Sequence, residues 1–197
     1  MTGVDDIRTE DDDRLARRSR GGDPLALAEL YRRHAPALLR HLERHLRDRA
    51  DAEDVLHETF LRVFEGRGSY DGRGQFRPWL FTIATRLALD THRQRRRRAD
   101  LLQQHLVRSD SPGSRDAAFD HAIVASVEAA LADLSEVDAI AFHLRVQDGF
   151  SYREMATICA APEGTLRSRV HHVIRRLRLA LHADSTLEVH HKEKTDA

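Results

Sequence analysis

An all-α fold is predicted for this 197-residue chain: two small helical domains joined by a flexible linker, the second a helix-turn-helix. Leu, Ala and Arg dominate, β-branched runs are absent, and Gly and Pro number only 10 and 5, a composition that favours long helices over turn-rich β structure. Apolar residues recur at spacings of three and four, the period of one helix face. A polar stretch over residues 99–120, with Ser-Pro-Gly at 111–113, marks the linker.

Residues 1–22 lack apolar periodicity and carry Asp5, Asp6, Glu10, Asp11, Asp12 and Asp13, so a flexible acidic leader is expected there. Asp23-Pro24 reads as an N-cap followed by proline in the first turn, and Leu27, Leu30, Tyr31 and His34 then share a face. Pro36 lacks an amide proton and clashes with the preceding turn, which predicts a break near Ala35 and a second helix over 36–46. Asp51 is the expected cap of a helix running to Phe64, with Val55, Leu56, Phe60, Val63 and Phe64 inward; Asp51, Glu53 and Asp54 suit its dipole. Residues 66–74 form a glycine-rich loop. The next helix, over 76–98, turns Phe76, Leu80, Ile83 and Leu87 inward. Beyond the linker, helices are expected over 121–134 and 135–147. The domains are thus 23–98 and 121–182, with a flexible tail over 183–197.

The segment 149–181 is the most informative. Ser151 and Glu154 can form a capping box for a short helix that buries Tyr152, Met155, Ala156 and Cys159. A second helix follows a tight corner, with Leu166, Val170, Val173, Leu177 and Leu181 on one face and Arg167, Ser168, His171, His172, Arg175 and Arg176 on the other. A helix, a corner and a basic second helix constitute a helix-turn-helix, whose second helix enters the DNA major groove.

The formal net charge is zero, yet charge is segregated: the leader is acidic, while Arg86, Arg93 and the run Arg95, Arg96, Arg97 and Arg98 are opposed only by Asp90. Patches of charge, not the total, decide polyanion binding. The lone Cys159 precludes an internal disulfide, and there is no CxxC pair. No apolar run approaches the roughly 20 residues that cross a bilayer, and the acidic start is unlike an export leader, so no membrane insertion and a cytoplasmic location are expected. Of the 13 histidines, His41 and His45 have the i, i+4 spacing of a zinc pair but no third ligand, and are read as surface residues. No cofactor is implied.

Three strings, at 51–64, 76–98 and 163–169, in that order and spacing, resemble the bacterial RNA polymerase sigma factors of the extracytoplasmic-function (ECF) group, which retain the second and fourth conserved sigma regions. The resemblance implies core RNA polymerase, promoter DNA and an anti-sigma protein as partners. It places Asp51, Glu53, Asp54, His57 and Glu58 on the polymerase-binding helix. It assigns Arg67, Tyr70 and Arg73 to the loop covering a base flipped from the minus-ten element, and Arg86, Arg93 and Arg96 to the DNA contacts of the promoter-melting helix. Thr165, Arg167, Ser168, Arg169, His171, His172 and Arg176 fall on the reader of the minus-thirty-five element. Two positions depart from the family pattern: Arg86 replaces the usual asparagine, and Ala160 the usual turn glycine.

A stand-alone helix-turn-helix regulator is the alternative, but it has no use for the acidic helix or the first basic block. A hydrolase built on Asp54, His57 and Glu58 lacks an activated nucleophile and a phosphate-binding loop, so no enzyme is expected.

Overall fold

The computed structural model describes residues 4–65, 70–72, 74–103 and 134–192. These residues form α1 (Val4–Thr9), α2 (Asp12–Arg20), α3 (Pro24–Leu46), α4 (Arg49–Phe64), α5 (Phe76–Gln103), α6 (Glu136–Val146), α7 (Tyr152–Cys159) and α8 (Glu163–Lys192). No strand occurs among them, in agreement with the all-α expectation.

The first body is built on α3, which packs against α2, α4 and α5. The Asp23 carboxylate caps it, accepting from the Leu25 and Ala26 amides at 3.0 and 3.3 Å. Contrary to expectation, Pro36 lies inside one continuous helix. Leu30 and Ala35 before it and Leu38 and Leu42 after it are all buried, so one continuous stripe meets its neighbours. The three leucines, at about 1.5–3 kcal/mol each, outweigh the roughly 3 kcal/mol a helical proline forfeits.

The acidic leader is also corrected, because its described part forms α1 and α2, both packed on α3. Asp11 caps α2 by accepting from the Arg14 amide at 2.7 Å, and Leu15, Ala16 and Ser19 are buried. Arg33 and His34 reach Asp12 at 2.9 and 2.7 Å. Those contacts, led by the hydrogen bond with His34, hold the Asp12 carboxyl below its ordinary range despite burial. Arg32 and Arg33 likewise hold Glu29 down to about 2. Asp48, not Asp51, caps α4, accepting from the Asp51 amide at 3.1 Å.

The second body comprises α6, α7 and α8. Ser135 caps α6, and Ser151 with Glu154 forms the expected capping box of α7. Leu166, Val170 and Val173 form the buried face of α8. Past them Leu177 is half-buried, while Leu181 is exposed, so the expected stripe runs off the core. The helix continues to Lys192, through most of the predicted tail.

The two bodies touch. α5 packs against α7 and α3 against α6, so two modules predicted as tethered units are docked in this structure. The predicted linker and the helix over 121–134 lie almost wholly outside the described residues.

Ala160 ends α7 in the left-handed region at φ 49°, where a Cβ costs roughly 1–2 kcal/mol. Ala160→Gly is therefore expected to stabilise the protein by about 1 kcal/mol, seen as a rise of a few degrees in the thermal midpoint; an unchanged or lower midpoint would refute the strain.

Candidate nucleic-acid and partner interfaces

The outer face of α4 carries the expected acidic group, with one member turned away. Asp54 and His57 are exposed. Glu53 is engaged by Arg49 and Glu58 by Arg62, both at 2.8 Å. These are solvent-facing i, i+4 pairs worth about 0.3–0.5 kcal/mol, readily exchanged for a partner's cations. Asp51 instead forms an ion pair with Arg95 of α5, which also lies 3.2 Å from Asp48. That contact ties α4 to α5 and takes both side chains partly out of the interfaces expected for them. Leu61 and Phe64 complete the stripe, 54% and 42% exposed. Phe64 was expected inside; the 3-4-3 spacing of Asp54, His57, Leu61 and Phe64 shows instead that it continues the outer row. Leu61 was missed for the same reason. The face offers apolar area within an acidic border, a composition suited to a basic protein surface.

On α5, Arg86 and Arg93 are exposed, the latter paired with Asp90 at 3.0 Å. Arg67, Arg73 and the Arg96 side chain lie outside the described residues. Tyr70 is corrected: it is 5% exposed, packed on Phe76 and Trp79 at centroid distances of 5.6 and 5.2 Å. Its hydroxyl donates to Asp13 and accepts the Gln75 amide, and burial followed by the bond to Asp13 pushes the phenol well above its ordinary range. Tyr70 is thus locked in the core by α2, unavailable for stacking on a base in this state. The Asp13 carboxylate also accepts the Gly74 amide at 2.6 Å. The leader therefore fastens the end of the glycine loop, a role that no local pattern in the acidic run announces.

On α8, Thr165, Arg167, Ser168, His171 and His172 are all exposed on its first turns. At the start of that helix the Pro162 carbonyl accepts the Leu166 amide at 3.2 Å. The guanidiniums of Arg145 and Arg167 lie 5.1 and 5.2 Å from the Tyr152 ring centroid, a cation–π contact that steadies Arg167 at the helix start. Arg169 departs from the set. It is half-buried and donates to Asp138 of α6 at 2.8 Å. Although burial opposes it, that bond together with one from Ser135 keeps the Asp138 carboxyl below its usual range. Arg176 is half-buried on the flank. The arrangement presents donors and acceptors on the N-terminal half of a protruding helix, the part that meets base edges in a major groove.

His41 and His45 are not surface residues: His41 is 0% and His45 8% exposed, at the seam between the bodies. Cys159 is half-buried, and burial pushes its thiol up to about 11, so it is inert. Among the described residues no three His, Cys, Asp or Glu side chains gather as a metal site.

Residues 30–98 match the family Sigma-70 region 2 and residues 125–177 the family Sigma-70, region 4. The ECF RNA polymerase sigma factor SigL of Mycobacterium tuberculosis is 35% identical over 156 residues, 77% of this chain and 86% of that protein. The solved structure of the sigma factor RpoE in complex with the anti-sigma factor NepR, from Bartonella quintana, is 27% identical with a TM-score of 0.59, over 76% of this chain and 92% of that one. CnrH in complex with the cytosolic domain of CnrY shares the fold, with a TM-score of 0.65 and 24% identity over 88% and 98% of the two chains.

Arg169→Ala is expected to lower stability by up to about 1 kcal/mol, the range of a half-exposed ion pair, whereas Arg167→Ala is expected to stay within about 0.5 kcal/mol of the parent. Urea unfolding of the two variants separates them; an equal loss would contradict the division between packing and reading roles.

Proposed function

The chain belongs to the extracytoplasmic-function sigma factors of the sigma-70 family, and from that footing we propose where it engages polymerase and promoter. Core RNA polymerase docks on the outer face of α4, through Asp54, His57 and Glu58 around the apolar Leu61 and Phe64, with Glu53 on the border. The exposed face of α5, including Arg86 and Arg93, follows the minus-ten element. The first turns of α8 read the minus-thirty-five element, Thr165 on a phosphate and Arg167, Ser168, His171 and His172 at base edges. Arginine takes guanine in a bidentate fashion and discriminates by about 1–3 kcal/mol; phosphate contacts add affinity without sequence information. The functional units are the 23–98 segment extended by α1 and α2, and the 121–182 segment. The chain is not an enzyme: polymerase performs the chemistry, and this protein supplies promoter choice and strand opening.

One observation carries this reading. The same chain presents a mixed acidic and apolar helix face on one module and an exposed polar row on the second helix of a helix-turn-helix on the other. A stand-alone regulator would need only the second. An anti-sigma partner is proposed by analogy with the RpoE–NepR complex. No helix among the described residues is long and apolar enough to cross a membrane, and the proposed polymerase partner supports a cytoplasmic location.

Run-off transcription with core polymerase over a promoter library tests the assignment. Specific transcripts are expected only when the protein is added. Arg167→Ala is expected to relax the choice at one upstream base pair by 10-fold or more, Arg93→Ala to weaken all promoters alike, and Leu61→Asp to reduce polymerase association. A DNA-binding dimer that footprints a palindrome and ignores polymerase would overturn it.

A further inference from the structure

The seam between the two modules contains an ionisable cluster that the promoter-reading surfaces do not use. Asp148, at the corner between α6 and α7, has a side chain only 6% exposed. It meets His41 Nδ1 at 2.8 Å and the Arg44 guanidinium at 2.6 Å, both from α3. Arg77 of α5 donates to the Asp148 backbone carbonyl at 2.5 Å, and its guanidinium stands 4.2 Å from the Phe150 ring centroid. Phe150 is fully buried against Phe81 of α5 at 4.8 Å. The His45 ring lies 4.5 Å from that of His41 and 5.2 Å from that of His143 on α6. Its Nε2 is buried without a hydrogen-bond partner, and its backbone carbonyl pairs with His92 Nε2 of α5. The groups facing this cluster are therefore His41, Arg44 and His45 from α3, Arg77, Thr85 and His92 from α5, His143 and Gln147 from the end of α6, and Asp148 from the corner. The Asp148 carboxylate is shared by His41 and Arg44.

The docked form is incompatible with simultaneous reading of both promoter elements. The minus-ten and minus-thirty-five elements are about 25 base pairs apart, roughly 85 Å of duplex, whereas α5 and α7 are in contact. The 30 residues from 104 to 133 can span about 100 Å when extended, so separation is sterically open to the chain.

We propose that the two modules form a closed off-state latched by Asp148 against His41 and Arg44, and that protonation of His45 and His143 releases it. A second positive charge on either ring would lie among Arg44, Arg77 and the neighbouring imidazoles, where the carboxylate of Asp148 is already bonded to His41 and Arg44. Burial, reinforced for His45 by His41 and for His143 by Arg44, holds both rings below their ordinary range in the docked form; separation returns them to water and to about 6.5. The open form thus binds more protons, and docking weakens as pH falls below about 6.5. Each ring contributes up to tenfold per pH unit, about 100-fold for the two. His41 is a weaker contributor, because Asp148 partly offsets the burial that lowers it.

Small-angle scattering of the full-length protein between pH 7.5 and 5.5, with helix content followed by circular dichroism, reads this directly. The radius of gyration is expected to be compact at pH 7.5 and to expand below pH 6.5 at unchanged helix content. The His45→Leu/His143→Leu double variant is expected to stay compact to pH 5.5. Asp148→Lys, which sets a cation against Arg44 and His41, is expected to be expanded already at pH 7.5. A pH-independent radius in the parent, an equal expansion in the double variant, or a compact Asp148→Lys protein would each overturn the latch. The off-state role rests on the promoter reading proposed above: expansion without polymerase-dependent transcription would sink that reading and leave the latch standing, whereas transcription without expansion would do the reverse.

Discussion

A single buried carboxylate organises the assembly of this molecule. Asp148 sits where water is excluded, and an uncompensated charge there would be destabilising by several kcal/mol. It is tolerable because α3 supplies His41 and Arg44 on one side while Arg77 of α5 binds the adjacent carbonyl. The corner that delivers it needs Gly149 at φ +75°, and the next residue, Phe150, fills the space between Phe81 and Arg77. Charge pairing and aromatic burial therefore act on consecutive residues of one turn. Remove the pairing, and the apolar contact must hold the modules against a desolvated ion.

Inside the first module a second economy is visible. α3 carries cores on several sides at once, so its basic residues are spent on fixing its neighbours: Arg33 joins α3 to Asp12 and to the carbonyls of Arg8 and Glu10. Arg95 does the same between α5 and the start of α4. Charges that look available for a polyanion in the sequence are partly committed to internal architecture. What remains exposed among the described residues includes Arg86 and Arg93 of α5 and Arg167 with its polar neighbours on the first turns of α8.

Much of this was legible in the sequence, where the determinant is local. The Asp23-Pro24 start, the Ser151–Glu154 capping box and the buried face of α8 through Val173 all follow from propensities within a few residues, whereas Ala160 stands out only because the family resemblance puts a glycine there. The failures share a cause: the deciding partner is distant in sequence. Pro36 stays helical because α2, α4 and α5 all need the stripe that passes through it. The acidic leader folds because its carboxylates find Arg33 and the Tyr70 hydroxyl. Tyr70, Arg169 and Phe64 have side-chain types that fit the roles first assigned to them, and only the packing of α2, α6 and α4 reveals which way each turns. The paired histidines His41 and His45 gave the right spacing for a shared face and no indication that another module would cover it.

Under the proposed latch the chain takes two arrangements: modules docked through Asp148 when alone, and parted along a promoter when bound to polymerase. The distance between a probe on the outer face of α4 and one on α7, measured by pulsed electron spin resonance in the free protein and in the polymerase–promoter complex, tests it most directly. An increase of several tens of ångströms on assembly is the expected result. An unchanged distance in a transcriptionally active complex would contradict it.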